Sequence, residues 1–298
     1  MACHYCNNEA YVYLPYAARE LCEKHFSKLI ESRFSRSLRE EGLKPHAKVL
    51  VGLSGGKDSA TLLYMLKKLT SKIPLSIVAV TIDEGIANYR SKSVEAAEKL
   101  CKELDIEHVI VPFSKEVGKS LDEAMEDNPE PACGYCGVFR RYLLNKAARD
   151  LKADYVAIGH NLDDAVQTVM MNLLRNEPSR IARFFKPLST SDDFVPRLKP
   201  LIHIPEKEIV LYALSKGLVF DDGECPYANR SIRYDVRVLL NNLEDRYPGA
   251  KFRILRSALS IVESMKFEPV KMKPCSICSM PTNNDVCMFC SMKEKLSK

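Results

Sequence analysis

From Ala47 onward the chain alternates short apolar runs with amphipathic stretches, and the first run ends in Ser54-Gly55-Gly56-Lys57-Asp58-Ser59. This alternation constrains the fold more than any other feature. The runs at 48–53, 75–82, 107–112 and 154–159 are apolar almost throughout, as expected of strands covered on both faces. The stretches 58–69, 91–104, 138–151 and 163–175 read as helices between them. Short strands separated by helices give a doubly wound, mostly parallel α/β domain. Residues 205–266 read as mainly helical.

The loop after the first strand, from Leu53 through Ser54, Gly55, Gly56, Lys57, Asp58 and Ser59, has the chemistry of a pyrophosphate cradle. Two glycines let the backbone turn sharply and bring N–H groups close to a ligand. The following helix start adds its dipole and free N–H groups, the two serines add hydroxyls, and Lys57 adds charge. The spacing is not that of a Walker A loop. The plainer alternative is a glycine turn leading into a capped helix. A second strand end, Gly159-His160-Asn161-Leu162-Asp163-Asp164, leads to a helix with two carboxylates in its first turn. They are either a cap and dipole partner or the holders of Mg²⁺ or a reacting phosphate, with Asp164 the stronger candidate.

The 298 residues hold no run approaching a membrane span, and the N-terminus lacks a basic-then-apolar signal, so a cytoplasmic location is expected. In that compartment eleven cysteines read as metal ligands rather than disulfides. Cys3-x-x-Cys6, fifteen residues, then Cys22-x-x-His25 has four-ligand zinc spacing. So has Cys275-x-x-Cys278, eight residues, then Cys287-x-x-Cys290. Four soft ligands close a tetrahedral site, so both are expected to be structural. Cys133, Cys136 and Cys225 have no obvious fourth partner. They suggest either a redox pair carrying a persulfide or an iron–sulfur cluster with one open iron. Cys101 stands alone in an amphipathic stretch and reads as core.

Ser-Gly-Gly-Lys-Asp-Ser after an apolar strand resembles the signature of the PP-loop ATPases, which split ATP to AMP and pyrophosphate. The Gly159–Asp164 segment with Gln167 and Thr168, the segment Ile82-Asp83-Glu84-Gly85-Ile86 with Tyr89 and Arg90, and the paired terminal zinc modules are similar to the tRNA 2-thiouridine synthetases. Members usually carry glycine before the tyrosine. Here Asn88 takes that place, and asparagine is the next most tolerant residue of a left-handed backbone.

The resemblance implies ATP with Mg²⁺ on residues 53–59, on Ile82 beside the adenine, and on Gly159 and Asp164. It implies catalytic roles for Lys57, Asp58 and Asp164, and a [4Fe-4S] cluster on Cys133, Cys136 and Cys225 with one iron open for sulfide. The implied chemistry is adenylation of a tRNA uridine at O2, then sulfur transfer to C2, at a wobble or T-loop position. Partners would be tRNA and a sulfur donor, either a ubiquitin-like thiocarboxylate protein or free sulfide, with a homodimer left open and no membrane. The expected organisation is a zinc module at 1–26, a basic helix and linker at 27–46, a catalytic domain at 47–204, a helical extension at 205–271 and a zinc ribbon at 272–298. A tRNA 2-thiocytidine synthetase and a non-catalytic zinc-ribbon RNA-binding scaffold are the alternatives.

Net charge is +5, from 44 basic and 39 acidic residues, which alone does not imply nucleic acid. Its distribution is more telling. Arg175, Arg180, Arg183 and Lys186 stand near one acid, Glu177. Arg230, Arg233, Arg237, Arg246, Lys251, Arg253 and Arg256 outnumber Asp235, Glu244 and Asp245. These runs read as an RNA backbone surface or as solvated faces. Arg140 and Arg141, just past Cys136, face either the active site or solvent. The acidic stretch from Glu116 to Glu130 reads as a loop ahead of the cysteine pair.

Overall fold

The computed structural model describes residues 1–126, 128, 130–186, 194–227, 232–266 and 272–296. An antiparallel ribbon, β1 (Val12–Leu14) with β2 (Arg19–Leu21), leads directly into α1 (Glu23–Glu40). Phe26, Ile30, Phe34 and Leu38 recur every four residues along α1 and are all buried, so one stripe of this basic helix faces the core. His25 lies in its first turn, so the N-terminal module and the segment after it share one continuous helix.

The central domain follows the expected alternation: β3 (Lys48–Gly52), α2 (Lys57–Leu69), β4 (Ser76–Asp83), α3 (Arg90–Leu104) and β5 (Glu107–Pro112). The short helices α4 (Phe113–Val117) and α5 (Leu121–Met125) come next, then α6 (Ala132–Asp150), β6 (Tyr155–Ala157), α7 (Leu162–Leu174), α8 (Pro178–Phe185) and β7 (Arg197–Leu198). The sheet order is β5-β4-β3-β6-β7, parallel throughout. Val49 and Val51 point to the face covered by α1 and α2, whereas Leu50, Val78 and Val80 point to the face covered by α6. Two-sided burial is why these strands lack polar alternation.

The chain runs outward from β3 to β5, then returns to place β6 on the other flank of β3. That reversal opens a crevice at the C-terminal ends of β3 and β6, where open α/β sheets bind ligands. The loops 53–59 and 159–161 both start there.

Beyond the sheet lie α9 (Glu206–Ser215), α10 (Ile232–Arg246) and α11 (Ala250–Ser264), the last two packed on α7. The ribbon β8 (Lys273–Pro274) with β9 (Pro281–Thr282) and α12 (Met288–Lys295) ends the described chain. Phe289 of α12 stacks flat on Tyr142 of α6, centroids 3.6 Å apart, and meets Phe139 edge-on at 5.2 Å.

Three local readings change. The helix expected from 138 begins at Ala132, so the Cys133–Cys136 pair sits on a helix start rather than in a loop knuckle. The acidic stretch contains α4 and α5, and Ser120 with Glu123 forms a capping box on α5; Asp127 and Pro129 lie outside the described residues. The two-residue strand β7 on the sheet edge has no periodicity to announce it.

Candidate active site

The phosphate loop is fixed from inside. The Ser54 N–H and hydroxyl both meet Ser59 Oγ at 3.0 Å, and Ser59 Oγ donates to the Gly56 carbonyl at 3.0 Å. Gly55 has φ +88°, and a Cβ there would fall 2.0 Å from the Ser93 carbonyl oxygen. Only glycine fits that position. Gly56 caps α2 without any side-chain acceptor, which leaves first-turn N–H groups free for an anion. Gly159 approaches from β6: a Cβ there would lie 3.1 Å from Asp58 C and Ser59 N. The two loops therefore meet backbone to backbone.

Lys57 Nζ reaches Glu206 Oε1 at 2.7 Å and Asp58 Oδ2 at 3.0 Å. Burial works against its charge, but these acids outweigh it and hold the lysine protonated above its ordinary range. Burial raises Asp58 above the usual carboxylate range despite Lys57, and Asn161 Nδ2 donates to Asp58 Oδ1 at 3.0 Å.

The two carboxylates of α7 separate cleanly. Asp163 Oδ1 takes a buried ion pair from Lys251 of α11, and its Oδ2 accepts from Glu206 N at 2.8 Å. It is a structural anchor. Asp164 caps its helix with Asn161 and faces the crevice, 3.6 Å from Arg233. Burial, then the charge of Asp58, pushes Asp164 up to about 6. Two carboxylates that both resist ionisation beside a phosphate loop suit a divalent cation.

The cavity at the sheet edge measures about 330 Å³ and is lined by Ser54, Asp58, Ile82, Arg140, Arg141 and Arg197, among others. His160 also lines it; burial and then the charge of Lys199 push His160 down to about 3. Its Nδ1 is buried without a hydrogen-bond partner among the described residues. Asn88 has φ +58°, the left-handed turn expected where relatives carry glycine.

Cys133, Cys136 and Cys225 are free thiols around one cleft. The Cys133 thiol points at the Tyr227 carbonyl, 3.7 Å away. Burial pushes Cys136 up to about 11, and Cys225 moves in the same direction for the same reason. A chain of charged groups links this cleft to the phosphate loop. Arg140 lies close enough to Cys136 for its charge to work against the effect of burial on that thiol, and it pairs with Glu84 at 3.2 Å. Glu84 pairs with Arg90 at 2.6 Å, and Arg90 donates to the Ser54 and Ile82 carbonyls at 2.6 and 2.7 Å.

A second link is backbone. Asp221 N donates to the Gly55 carbonyl at 2.9 Å. The Asp221 carboxylate accepts from Ser93 Oγ at 2.5 Å and from Gly223 N at 3.2 Å. The segment carrying Cys225 is thereby tied to the phosphate loop.

At the N-terminus, His25 Nδ1 lies 3.4 to 3.5 Å from the sulfurs of Cys3, Cys6 and Cys22. In both terminal sets, four potential ligand atoms lie within 4.8 Å of one another. Donor type and spacing fit one zinc each. The three central sulfurs are not drawn together in this way; three cysteine thiolates are the donor type that an iron–sulfur cluster takes. Cys101 is buried in α3, as expected.

Of the basic residues, Arg233 reaches the site and Lys251 supports it. Arg180 pairs with Glu177 and Arg183 bonds back to Ser179 within α8. Arg230 lies outside the described residues. Arg197, Glu206 and Asp221 were not found as site residues from the sequence, because their partners come from distant segments; Glu84 stood in the Ile82–Ile86 segment without a role of its own, and its pair with Arg90 supplies one.

A PP-loop domain model matches residues 22–244. The tRNA 2-thiolation protein NcsA of Haloferax volcanii is 36% identical, covering 99% of both chains. A tRNA-5-methyluridine(54) 2-sulfurtransferase of Pyrococcus horikoshii is 38% identical, covering 97% of this chain and 93% of that one. The U34-tRNA thiolase NcsA of Methanococcus maripaludis, solved with its [4Fe-4S] cluster, superposes with a TM-score of 0.88 at 35% identity, over 99% of this chain and 96% of that one. With a phosphate loop, a paired strand end and a three-cysteine cleft in one crevice, the chain belongs to the PP-loop family, among the tRNA 2-thiolation proteins.

Proposed function

We propose that the protein is an ATP-dependent tRNA 2-thiolation enzyme acting in the cytoplasm. A uridine O2 attacks the α-phosphorus of ATP and pyrophosphate leaves. Hydrosulfide then attacks C2, and AMP departs with the former O2; on the persulfide route the outer sulfur attacks C2, AMP departs, and a second cysteine thiolate breaks the S–S bond, leaving a disulfide. The observation that carries this reading is the continuous link Cys136–Arg140–Glu84–Arg90–Ser54 between the thiol cleft and the phosphate loop. It supports a reading in which activation and sulfur delivery act on one base.

The chain's own groups have distinct tasks. The N–H groups at the start of α2 receive the β- and γ-phosphates. Lys57 exchanges Glu206 and Asp58 for phosphate oxygens as ATP enters, and it offsets charge on the departing pyrophosphate. Asp58 and Asp164 take Mg²⁺. Arg90 holds the Ser54 and Ile82 carbonyls in place, fixing the distance between phosphate and adenine contacts. Cys133, Cys136 and Cys225 would hold a [4Fe-4S] cluster, which when bound supplies an iron position that no protein thiolate fills. The terminal sets hold zinc. Basic residues of α8 and α10 face the tRNA backbone, and the sulfur donor is free sulfide or a thiocarboxylate protein.

The test uses anaerobically purified protein, tRNA, ATP and sulfide. AMP, pyrophosphate and 2-thiouridine should form together and depend on tRNA. Nucleoside mapping of the product reads the position, wobble or T-loop. ADP and phosphate would overturn the PP-loop chemistry, and thiolated cytidine would favour the cytidine enzyme. A scaffold would release no AMP.

A further inference from the structure

A second cavity, of about 420 Å³, lies apart from the nucleotide loop and is lined by Tyr16, Arg33, His203, Phe252, Arg253 and Arg256, among others. Its floor is rigidly held. Arg33 donates to Glu208 Oε2 at 2.9 Å and to the Tyr16 hydroxyl at 3.0 Å, while that hydroxyl donates to Glu208 Oε1 at 2.6 Å. The Arg33 guanidinium sits over the rings of Tyr16 and Phe252, 5.4 and 5.5 Å from their centroids. Glu208 is committed to these two partners.

The mouth carries positive charge that nothing neutralises among the described residues. Arg253 bonds only to the backbone carbonyls of Pro248 and Tyr247, at 3.3 and 3.2 Å. Arg256 has no hydrogen bond or ion pair among the described residues, and both arginines are exposed. Burial holds His203 below its ordinary range; the charge of Glu40 opposes this, and those of Arg33 and Arg36 reinforce it. The elements around the cavity also carry residues of the nucleotide site: Glu206, two residues before Glu208, pairs with Lys57, and Lys251, beside Phe252, pairs with Asp163.

We propose that this cavity is an RNA subsite, receiving one phosphodiester of the bound tRNA on Arg253 and Arg256 with the attached nucleoside against Phe252, away from the uridine that reacts. The inference rests on the tRNA substrate proposed above. Guanidinium groups suit phosphate oxygens. The volume is that of a small-molecule site, more than a lone phosphate needs, and the aromatic floor offers contact for a sugar or base. Arg33, held by Glu208 and Tyr16, is a wall that loses no freedom on binding.

Full-length holoprotein should be titrated with tRNA across a salt series, alongside Arg256→Glu and the milder pair Arg253→Gln with Arg256→Gln. Both variants should bind tRNA about ten-fold more weakly, and the slope of log Kd against log salt should shrink by about 1, the share of one phosphate. ATP affinity and melting temperature should stay at wild-type values. A wild type that binds no tRNA defeats the thiolation reading and this inference with it. A wild type that binds tRNA, with both variants matching it in affinity and slope, defeats the subsite alone. UMP serves as a separate probe: UMP binding lost in the variants, with tRNA affinity unmoved, overturns the RNA assignment in favour of a free nucleotide.

Discussion

Gly55→Ala tests whether the phosphate loop owes its shape to contact with α3. Two costs add. A left-handed residue other than glycine costs about 1–2 kcal/mol, and Gly55 has φ +88°. The new methyl would also sit 2.0, 2.6 and 2.9 Å from the Ser93 O, C and Cα atoms. These are backbone atoms that cannot swing aside, and overpacking of this kind costs about 1–3 kcal/mol or more. The expected loss is about 2–5 kcal/mol, a large share of the ~5–15 kcal/mol that holds a domain folded. Gly118→Ala isolates the first cost, since Gly118 has φ +93° with nothing within 4 Å of the new methyl. It should lose only about 1–2 kcal/mol. Urea midpoints of both variants, read with ATP titrations, make the comparison. Gly55→Ala should unfold far earlier and lose ATP binding, while Gly118→Ala keeps it. Equal midpoints with ATP binding intact in both would refute the close-approach argument.

Three further outcomes are expected. Asp163→Ala strands Lys251 in a buried site and should cost about 3–5 kcal/mol in chemical denaturation, whereas replacing both partners by apolar residues should cost much less. Asp164, held near 6 by burial and Asp58, is destabilising when ionised: its folded value lies above its unfolded one, so the penalty is full above about pH 6 and fades as pH falls towards the unfolded value. Asp164→Asn should therefore raise the apoprotein melting temperature at pH 7.5, by the equivalent of about 1–2 kcal/mol after allowing for solvent screening, and the gain should vanish near pH 4. AMP formation should be lost in the same variant. Cys133→Ala, Cys136→Ala or Cys225→Ala should each lower iron content and abolish thiolation while ATP affinity persists. Full activity of iron-free protein with sulfide would sink the cluster mechanism and leave the adenylation step standing.

The sheet was legible because two-sided burial leaves a mark on every strand residue. The Ser54–Ser59 loop was legible because its glycines and hydroxyls are consecutive. Asn88 was readable too, since backbone tolerance is a local property. Asp163 and Asp164 could not be told apart with certainty, because the difference is set by Lys251, far along the chain. The early start of α6 was hidden by Gly134 and Gly137, which argue against a helix. Burial of Tyr135, Phe139 and Leu143 on one face overrides that local preference. Glu84, Arg90 and Arg140 form a network only after folding joins the end of β4 to α6.

The flat stack of Phe289 on Tyr142 also imposes an order on biosynthesis. The helix that presents Cys133 and Cys136 rests its flank on a ring made about 150 residues later. At the usual ~5–20 residues per second of translation, that delay is roughly 8–30 s. Until that last segment leaves the ribosome, α6 can already lie on the sheet through Phe139 and Leu143, but the flank that carries Tyr142 lacks its stacking partner. The phosphate loop and its strands can form while the chain is still growing, whereas the last contact on the helix that carries Cys133 and Cys136 waits for residues made near the end of synthesis.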